Sequence, residues 1–236
     1  MVGSLLMRGL LVGLLAGFLA FGFAKFIGEP QVDIAIAFES KMAELRHEAP
    51  EPVLISRDVQ SSWGLFTGVM VYSTALGGIF ALVFAFLMGR VGPLQPRGLS
   101  ALLALAAFVA IVLIPALKYP PNPPSVGQPE TIGYRTEFFF VMMAASIASA
   151  GFAVAIARAL IRSLGRWNAW IAGGIALLVM ILITTALLPD INEVPSNFPA
   201  VVLWRFRLAG LGLQMVIWTV IGLGFGWLTE RSLARN

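Results

Sequence analysis

The sequence predicts an all-α bundle that crosses a membrane with six helices, and three observations carry this prediction. Of the 236 residues, 58% are hydrophobic and 12% are charged, whereas a soluble domain carries roughly a quarter charged residues. The mean hydropathy is +0.88. The apolar residues form long runs without the alternating pattern of a barrel strand, and in lipid such runs satisfy their backbone as helices.

Six runs are long enough to cross roughly 30 Å of hydrocarbon, which takes about 20 residues each. The predicted spans are Ser4 to Ile27, Trp63 to Met88, Leu99 to Leu117, Thr136 to Leu160, Trp170 to Leu188 and Leu203 to Leu228. The predicted connections are Gly28–Ser62, Gly89–Gly98, Lys118–Arg135, Ile161–Ala169 and Pro189–Val202. Residues 1–236 then form a single integral membrane domain of the plasma or inner membrane, with the lipid bilayer as its main partner.

The first span has two interpretations. Arg8 before an apolar run, with a small-residue site near Gly22, is compatible with a signal peptide. Gly9, Gly13 and Gly17 recur at a spacing of four, which lets another helix approach the backbone closely. The length of the run favours the second interpretation, a retained packing helix.

Basic residues predict the orientation of the chain. The N-terminus, the second and fourth connections and the C-terminus, which lie on one side of the membrane, carry eight arginines and a single acid, Glu230. The other eight basic residues and the other eleven acids lie on the opposite side. The eight arginines are Arg8, Arg90, Arg97, Arg158, Arg162, Arg166, Arg231 and Arg235. An excess of Lys and Arg in short loops marks the cytoplasmic face, so both termini are expected in the cytoplasm.

The first outer connection, residues 28–62, is expected to contain an amphipathic surface helix. Pro30 suits a first helical turn, and apolar residues follow at helical spacing from Ile34. Glu44, His47 and Glu48 stand at i, i+3 and i+4, so they can converge on a divalent transition metal. The alternative is a solvated acidic face with ion pairs along the helix, since no motif fixes the geometry.

The stretch from Pro115 to Glu137 carries six prolines and separates two apolar runs. Arg135 and Glu137 stand where the next run begins, as an interfacial anchor or as the mouth of a pathway. The segment Leu-Ile-Pro ends at Pro115 before the second outer connection, and Leu-Leu-Pro ends at Pro189 before the third. This similarity suggests an internal repeat, although Pro, Asn and Ser are also common in any loop.

Arg207 lies about one turn inside the last span, with Gln214 and Trp218 on the same helical face. A pair of Arg207 with Glu137 neutralises both charges, either as an ion pair that locks the bundle or as a gate on a path. Tyr72, together with its Ser and Thr neighbours, is interpreted as forming hydrogen bonds between helices.

Several function classes are disfavoured by composition. The chain has no Cys and a single His, so thiolate ligands are excluded and no His pair exists to hold haem or zinc. No nucleophile and base stand together and no phosphate loop occurs, so an enzyme is not predicted. The basic residues form no run, so nucleic acid is not an expected partner. No permanently bound cofactor is expected.

Several segments resemble the CbtA family of predicted cobalt transporter subunits. They are Arg57 to Gly64, Leu113 to Pro124, Gly133 to Arg135, Leu203 to Gly210 with Gln214, and Gly224 to Trp227. The resemblance implies uptake of Co²⁺ for cobalamin synthesis, together with a small His-bearing partner, a CbtB-like subunit.

On this hypothesis Glu44, His47 and Glu48 collect the ion, and Glu137, Arg207, Gln214 and Arg135 border its path. A non-transporting assembly subunit that docks other membrane proteins is the alternative. A transporter of organic solutes and a homo-oligomer are also compatible with the sequence.

Overall fold

The computed structural model describes residues 2–47 and 54–234, and these residues form helices and the turns between them, with no strand. This confirms the all-α class. Five helical stretches are long and apolar enough to cross a membrane. They are Val2–Leu45, Arg57–Leu87, Pro96–Lys118, Pro129–Leu187 and Ala200–Leu233.

Eight α-helices make up these stretches. Helices α1 (Val2–Phe23) and α2 (Glu29–Leu45) are joined by a π-helical turn, Ala24–Gly28. Helices α3 (Arg57–Val59) and α4 (Leu65–Leu87) are joined by the π turn Gln60–Gly64, and α5 (Pro96–Ala107) and α6 (Ile114–Lys118) by the π turn Phe108–Leu113. A 3₁₀ turn (Pro129–Thr131) precedes α7 (Ile132–Leu187), and α8 (Ala200–Leu233) follows.

Two of the π turns lie just before a proline. Pro30 and Pro115 lack the N–H that would bond the carbonyl four residues earlier, and their rings crowd that carbonyl. A local shift to π geometry relieves this conflict and lets the helix continue. The expected connection from Gly28 to Ser62 is therefore shorter, because α1 continues into α2 and the helical stretch that contains α4 begins with α3 at Arg57. The membrane-surface position of α2 stays a prediction.

Helix α7 contains both the fourth and the fifth predicted spans. Its backbone leaves helical geometry at Gly165, where φ is 74° and ψ is 163°. A Cβ at Gly173 would lie 2.7 Å from the carbonyl oxygen of Ala153 and 2.9 Å from the Cβ of Ala157. The two arms of α7 therefore pack against each other on either side of Gly165. The count of six crossings stays a prediction.

Contacts divide the chain into two compact units, as far as the structure describes it. The first unit comprises Met1–Phe108, Asn122–Ser125 and Asn197–Asn236, and the second comprises Val109–Pro121 and Val126–Ser196. The single domain expected from the sequence stays a prediction.

In the first unit, α1 packs on α4 through its glycines. A Cβ at Gly13 would lie 2.5 Å from the carbonyl oxygen of Ser73, and Gly9 approaches the backbone of Gly77 as closely. Gly17 faces Met70, where a Cβ would lie 3.0 Å from the sulfur. The close approach predicted from the glycine spacing is confirmed, and its partner is α4.

Helix α8 completes the core of the first unit. The rings of Phe80 and Phe84 each meet the buried ring of Phe225 edge to face, with centroids 5.4 and 5.0 Å apart. Buried Ser100 of α5 donates a hydrogen bond of 2.6 Å to the carbonyl of Gly222. These contacts hold α4, α5 and α8 in register.

The second unit has a smaller core around Ile114, Tyr119 and Met142. The hydroxyl of Tyr119 donates to the carbonyl of Pro189 at 2.8 Å. Buried Ser146 donates to the carbonyl of Ala110, which makes it a bond between helices.

Candidate functional site

Helix α8 carries a row of polar side chains toward the interior of the first unit. Arg207, Gln214 and Trp218 are separated by seven and four residues, so they share one face of the helix. Arg207 and Gln214 are half-buried, and Trp218 is buried with 5% exposure. We call these three residues the polar row. The structure confirms that they face the protein together.

The polar row makes two hydrogen bonds within the first unit. The guanidinium of Arg207 donates to the side-chain oxygen of Asn122 at 2.9 Å. The amide of Gln214 donates to the hydroxyl of Tyr72 on α4 at 3.1 Å. The interpretation as an interhelical hydrogen-bond former is confirmed for Tyr72. It is not confirmed for its neighbours Ser73 and Thr74, whose hydroxyl oxygens are buried without a hydrogen-bond partner in the described protein.

Several buried polar atoms on α8 and α4 have no hydrogen-bond partner within the described protein. They are Arg207 Nε, Gln214 Oε1 and Trp218 Nε1 on α8, with Ser73 Oγ and Thr74 Oγ1 on α4. An unpaired polar group costs roughly 1–3 kcal/mol when it is buried. Membrane proteins keep such groups inside the bundle where a polar pathway or site requires them.

Asn122 reaches Arg207 from the proline-rich connection. It stands between Pro121 and Pro123, whose missing N–H groups leave the local backbone without regular hydrogen bonds and extended. Residues Asn122–Ser125 belong to the first unit, although the residues on both sides belong to the second. The sequence offered one signal for this role, an asparagine isolated among prolines, but its partner could not be inferred.

Arg135 lies in the second unit, in a cluster that the sequence did not predict. Its Nε is 3.3 Å from the Glu193 carboxylate, and its Nη2 donates to the carbonyl of Gln128 at 3.3 Å. The backbone N–H of Gln128 donates to the same carboxylate at 2.9 Å. The guanidinium covers Gly127, where φ is 109° and a Cβ would lie 2.6 Å from Cζ of Arg135. Only glycine fits there.

Hydrogen bonds shape the charge of this cluster. The Thr131 hydroxyl, followed by the Gln128 N–H and the Arg135 charge, holds the pKa of Glu193 below its ordinary value of 4.5. Glu193 is therefore ionised at neutral pH and keeps Arg135 in place.

Glu137 is exposed on α7 in the second unit. Arg207 belongs to the first unit and has Asn122 as its hydrogen-bond partner. The predicted pairing of Glu137 with Arg207 therefore stays a prediction, as do the path-lining roles of Glu137, Arg135, Arg207 and Gln214.

The proposed metal ligands lie around the end of α2. Glu44 is exposed in the last turn, and His47 follows the helix with a φ of 54°. Because α2 ends at Leu45, helical spacing does not carry over to His47. Glu48 lies outside the described residues. Within 2–47 and 54–234, no three His, Cys, Asp or Glu side chains are grouped to hold a metal ion.

A second charged contact connects α2 with α3. Arg57 forms ion pairs with Glu29 and with Asp33, the latter at 2.9 Å. The Glu29 side chain is only 11% exposed, so Arg57 compensates a nearly buried carboxylate. Next to it, Lys25 donates to the carbonyl of Ser61 at 2.9 Å and joins two π turns. These contacts hold α2 and α3 together, along with the π turns beside them.

These features define a multi-pass helical membrane protein with a partly unpaired polar row inside one of its units. A family model described as "Probable cobalt transporter subunit (CbtA)" matches residues 2–230, which is nearly the whole chain. The chain belongs to the CbtA family, as the motifs in the sequence indicated. Searches of curated proteins and of solved structures each gave no match.

Proposed function

We propose that this chain is the membrane-spanning subunit of a transporter that takes up a divalent metal, Co²⁺ above all, and supplies it for cobalamin synthesis. The observation that carries the proposal is the polar row of Arg207, Gln214 and Trp218, whose buried atoms lack partners in the described protein. Membership in the CbtA family supports cobalt as the cargo.

We also propose six crossings, with both termini in the cytoplasm. The break at Gly165 turns one long helix into two packed arms, each longer than the roughly 20 residues that a crossing requires. The basic residues concentrated at the two ends and in the short connections support this orientation.

Neutral oxygens next to the polar row suit a partly hydrated divalent ion. Gln214 Oε1 and the Tyr72 hydroxyl, the hydrogen-bond partner of the Gln214 amide nitrogen, can each point a lone pair at a cation or at its waters. Neither of them carries a charge, so they bind a doubly charged ion weakly enough to release it. A path needs this balance between entry and release.

Arg207 then serves as a gate. Its positive charge repels a cation, and its hydrogen bond to the neutral Asn122 leaves that charge uncompensated. Pairing with Glu137 would remove the barrier, and Arg135 would hold the entrance through Glu193. Glu44, His47 and Glu48 would collect the ion outside the membrane.

The single His of the chain motivates a partner. Imidazole suits Co²⁺ better than amide or hydroxyl oxygen does, so a small His-bearing, CbtB-like subunit would supply the ligands that this chain lacks. The word "subunit" in the family description agrees with a partner.

The alternative is a non-transporting assembly subunit that docks other membrane proteins through its glycine-rich helices. Gly9, Gly13 and Gly17 pack on α4 of the same chain. They are therefore not available for docking, and the transport proposal is favoured.

Cobalt accumulation in cells tests this function. Cells would express the chain with its small partner, or the partner alone, and would be compared at equal protein level. Gln214→Leu removes the amide of the polar row, and Thr219→Leu on the exposed side of α8 is the matched control. Uptake should depend on the chain and fall roughly tenfold in Gln214→Leu alone. Equal uptake with and without the chain would contradict transport by this chain and would favour the assembly function.

A further inference from the structure

A groove of about 540 Å³ opens between the α1–α2 junction and α8 in the first unit. Its lining residues are Phe23, Phe26, Ile27, Pro30, Gln31, Arg205, Leu208 and Ala209. The volume falls within the range of small-molecule sites, roughly 300–1,000 Å³. The π turn Ala24–Gly28 forms one wall, and π turns often occur at functional sites.

The groove has a polar end and an apolar end. Helices α1–α2 and α8 run antiparallel here, because Phe23 faces Gly212 while Gln31 shares the groove with Arg205. Arg205 and Gln31 therefore lie at one end, and Phe23 and Ala209 lie toward the other. This polarity matches an amphiphile that stands parallel to the helices.

The two polar residues specify the headgroup. Arg205 is exposed and pairs with no carboxylate of the described residues, so its guanidinium is open to an anion. Gln31 Oε1 is buried and accepts no hydrogen bond from the described protein, so it requires a donor. Phosphate satisfies Arg205. A hydroxyl or an ammonium group satisfies Gln31.

The apolar side chains between the two ends of the groove indicate an acyl chain. Phe26 is 78% exposed and Ile27 is 51% exposed, although both belong to a stretch apolar enough to cross a membrane. Exposed aromatic and aliphatic side chains at membrane depth face lipid tails. The occupant that joins these features is a lipid.

We propose that this groove binds one membrane phospholipid whose headgroup carries an O–H or N–H donor beside its phosphate. Phosphatidylglycerol and phosphatidylethanolamine have such a donor. Phosphatidylcholine has the same phosphate and tails but no donor, so it satisfies Arg205 and leaves Gln31 unpaired.

Native mass spectrometry of the purified chain tests this assignment, with the three lipids added singly and with matched tails. Wild type should bind phosphatidylglycerol and phosphatidylethanolamine roughly fivefold more tightly than phosphatidylcholine. Gln31→Leu should abolish that preference. Arg205→Gln should weaken all three lipids by roughly tenfold, and the distant Arg90→Gln should weaken none.

Three outcomes would overturn the assignment. Equal binding of phosphatidylcholine and phosphatidylglycerol to wild type would remove the role of Gln31 without relying on any variant. Equal effects of Arg205→Gln and Arg90→Gln would remove the role of Arg205. Displacement of the bound lipid by inorganic phosphate would assign the groove to a soluble anion. Gel filtration of each variant confirms that it is folded.

Discussion

Replacing Gly13 by Ala should destabilise the protein more than any alanine replacement in open parts of the same helix. The new Cβ would lie 2.5 Å from the Ser73 carbonyl oxygen and 2.9 Å from Cα of Thr74. Ordinary contact begins near 3.4 Å, and both neighbours are backbone atoms that cannot rotate away. Helices α1 and α4 would have to separate by about 1 Å along their contact.

The expected magnitude follows from two opposing terms. Overpacking costs roughly 1–3 kcal/mol, while Gly to Ala in a helix gains about 1 kcal/mol. Gly22 offers the matched control, because a Cβ there meets nothing within 4 Å and only the gain applies. The two variants should therefore differ by roughly 1–3 kcal/mol in the free energy of unfolding, with Gly13→Ala the less stable.

Thermal unfolding in detergent measures this difference. For a chain of this size, 1 kcal/mol corresponds to about 2–4 °C in Tm, so Gly13→Ala should unfold roughly 2–12 °C below Gly22→Ala. Folded protein remaining after heating can be followed by gel filtration. Identical unfolding temperatures would show that α1 and α4 do not pack through Gly13, and the account of the first unit would fail.

Three further predictions concern charge and backbone. Arg57→Ala should lower the free energy of unfolding by roughly 1–3 kcal/mol because it strands the nearly buried Glu29, and Arg57→Lys should restore part of it in the same thermal assay. Glu193 has a lowered pKa, so its contacts stabilise the structure above its ordinary pKa of 4.5 and are lost as pH falls through the lower folded value. Exchange of the Gln128 amide, corrected for its intrinsic rate, should speed up in that range in wild type, and Glu193→Gln should show no such step. Gly165→Ala should cost roughly 1–3 kcal/mol because its φ of 74° and ψ of 163° suit glycine alone, and unchanged thermal stability would argue against the break in α7.

The sequence predicted the helical class and the long apolar stretches because hydropathy alone determines them. It also predicted the close approach at Gly9, Gly13 and Gly17, since only small residues permit it. It could not identify α4 as the partner, because Gly77 and Ser73 carry no pattern that names their counterpart.

Connections were harder to predict than spans. The sequence placed a loop at Gly28, but Pro30 is accommodated by a π turn, and the helix continues to Leu45. It placed a connection from Ile161 to Ala169, whereas a single residue, Gly165, makes the break. Both differences arise because a π turn or a break at one glycine changes the backbone locally and leaves no signal in the composition or hydropathy from which spans are predicted.

The candidate site was predicted in part. The common face of Arg207, Gln214 and Trp218 follows from helical spacing and is present in the structure. Their partners Asn122 and Tyr72 come from distant segments, so only the fold could bring them together.

Co²⁺ entry into vesicles that contain the purified chain and its small partner tests the central claim most directly. If the chain forms the path, entry should require both proteins and should fall roughly tenfold in Gln214→Leu, while Thr219→Leu transports like wild type. If Gln214→Leu and Glu137→Gln both transport like wild type, or if the partner alone admits Co²⁺ as fast, the path lies elsewhere and the chain is an assembly subunit.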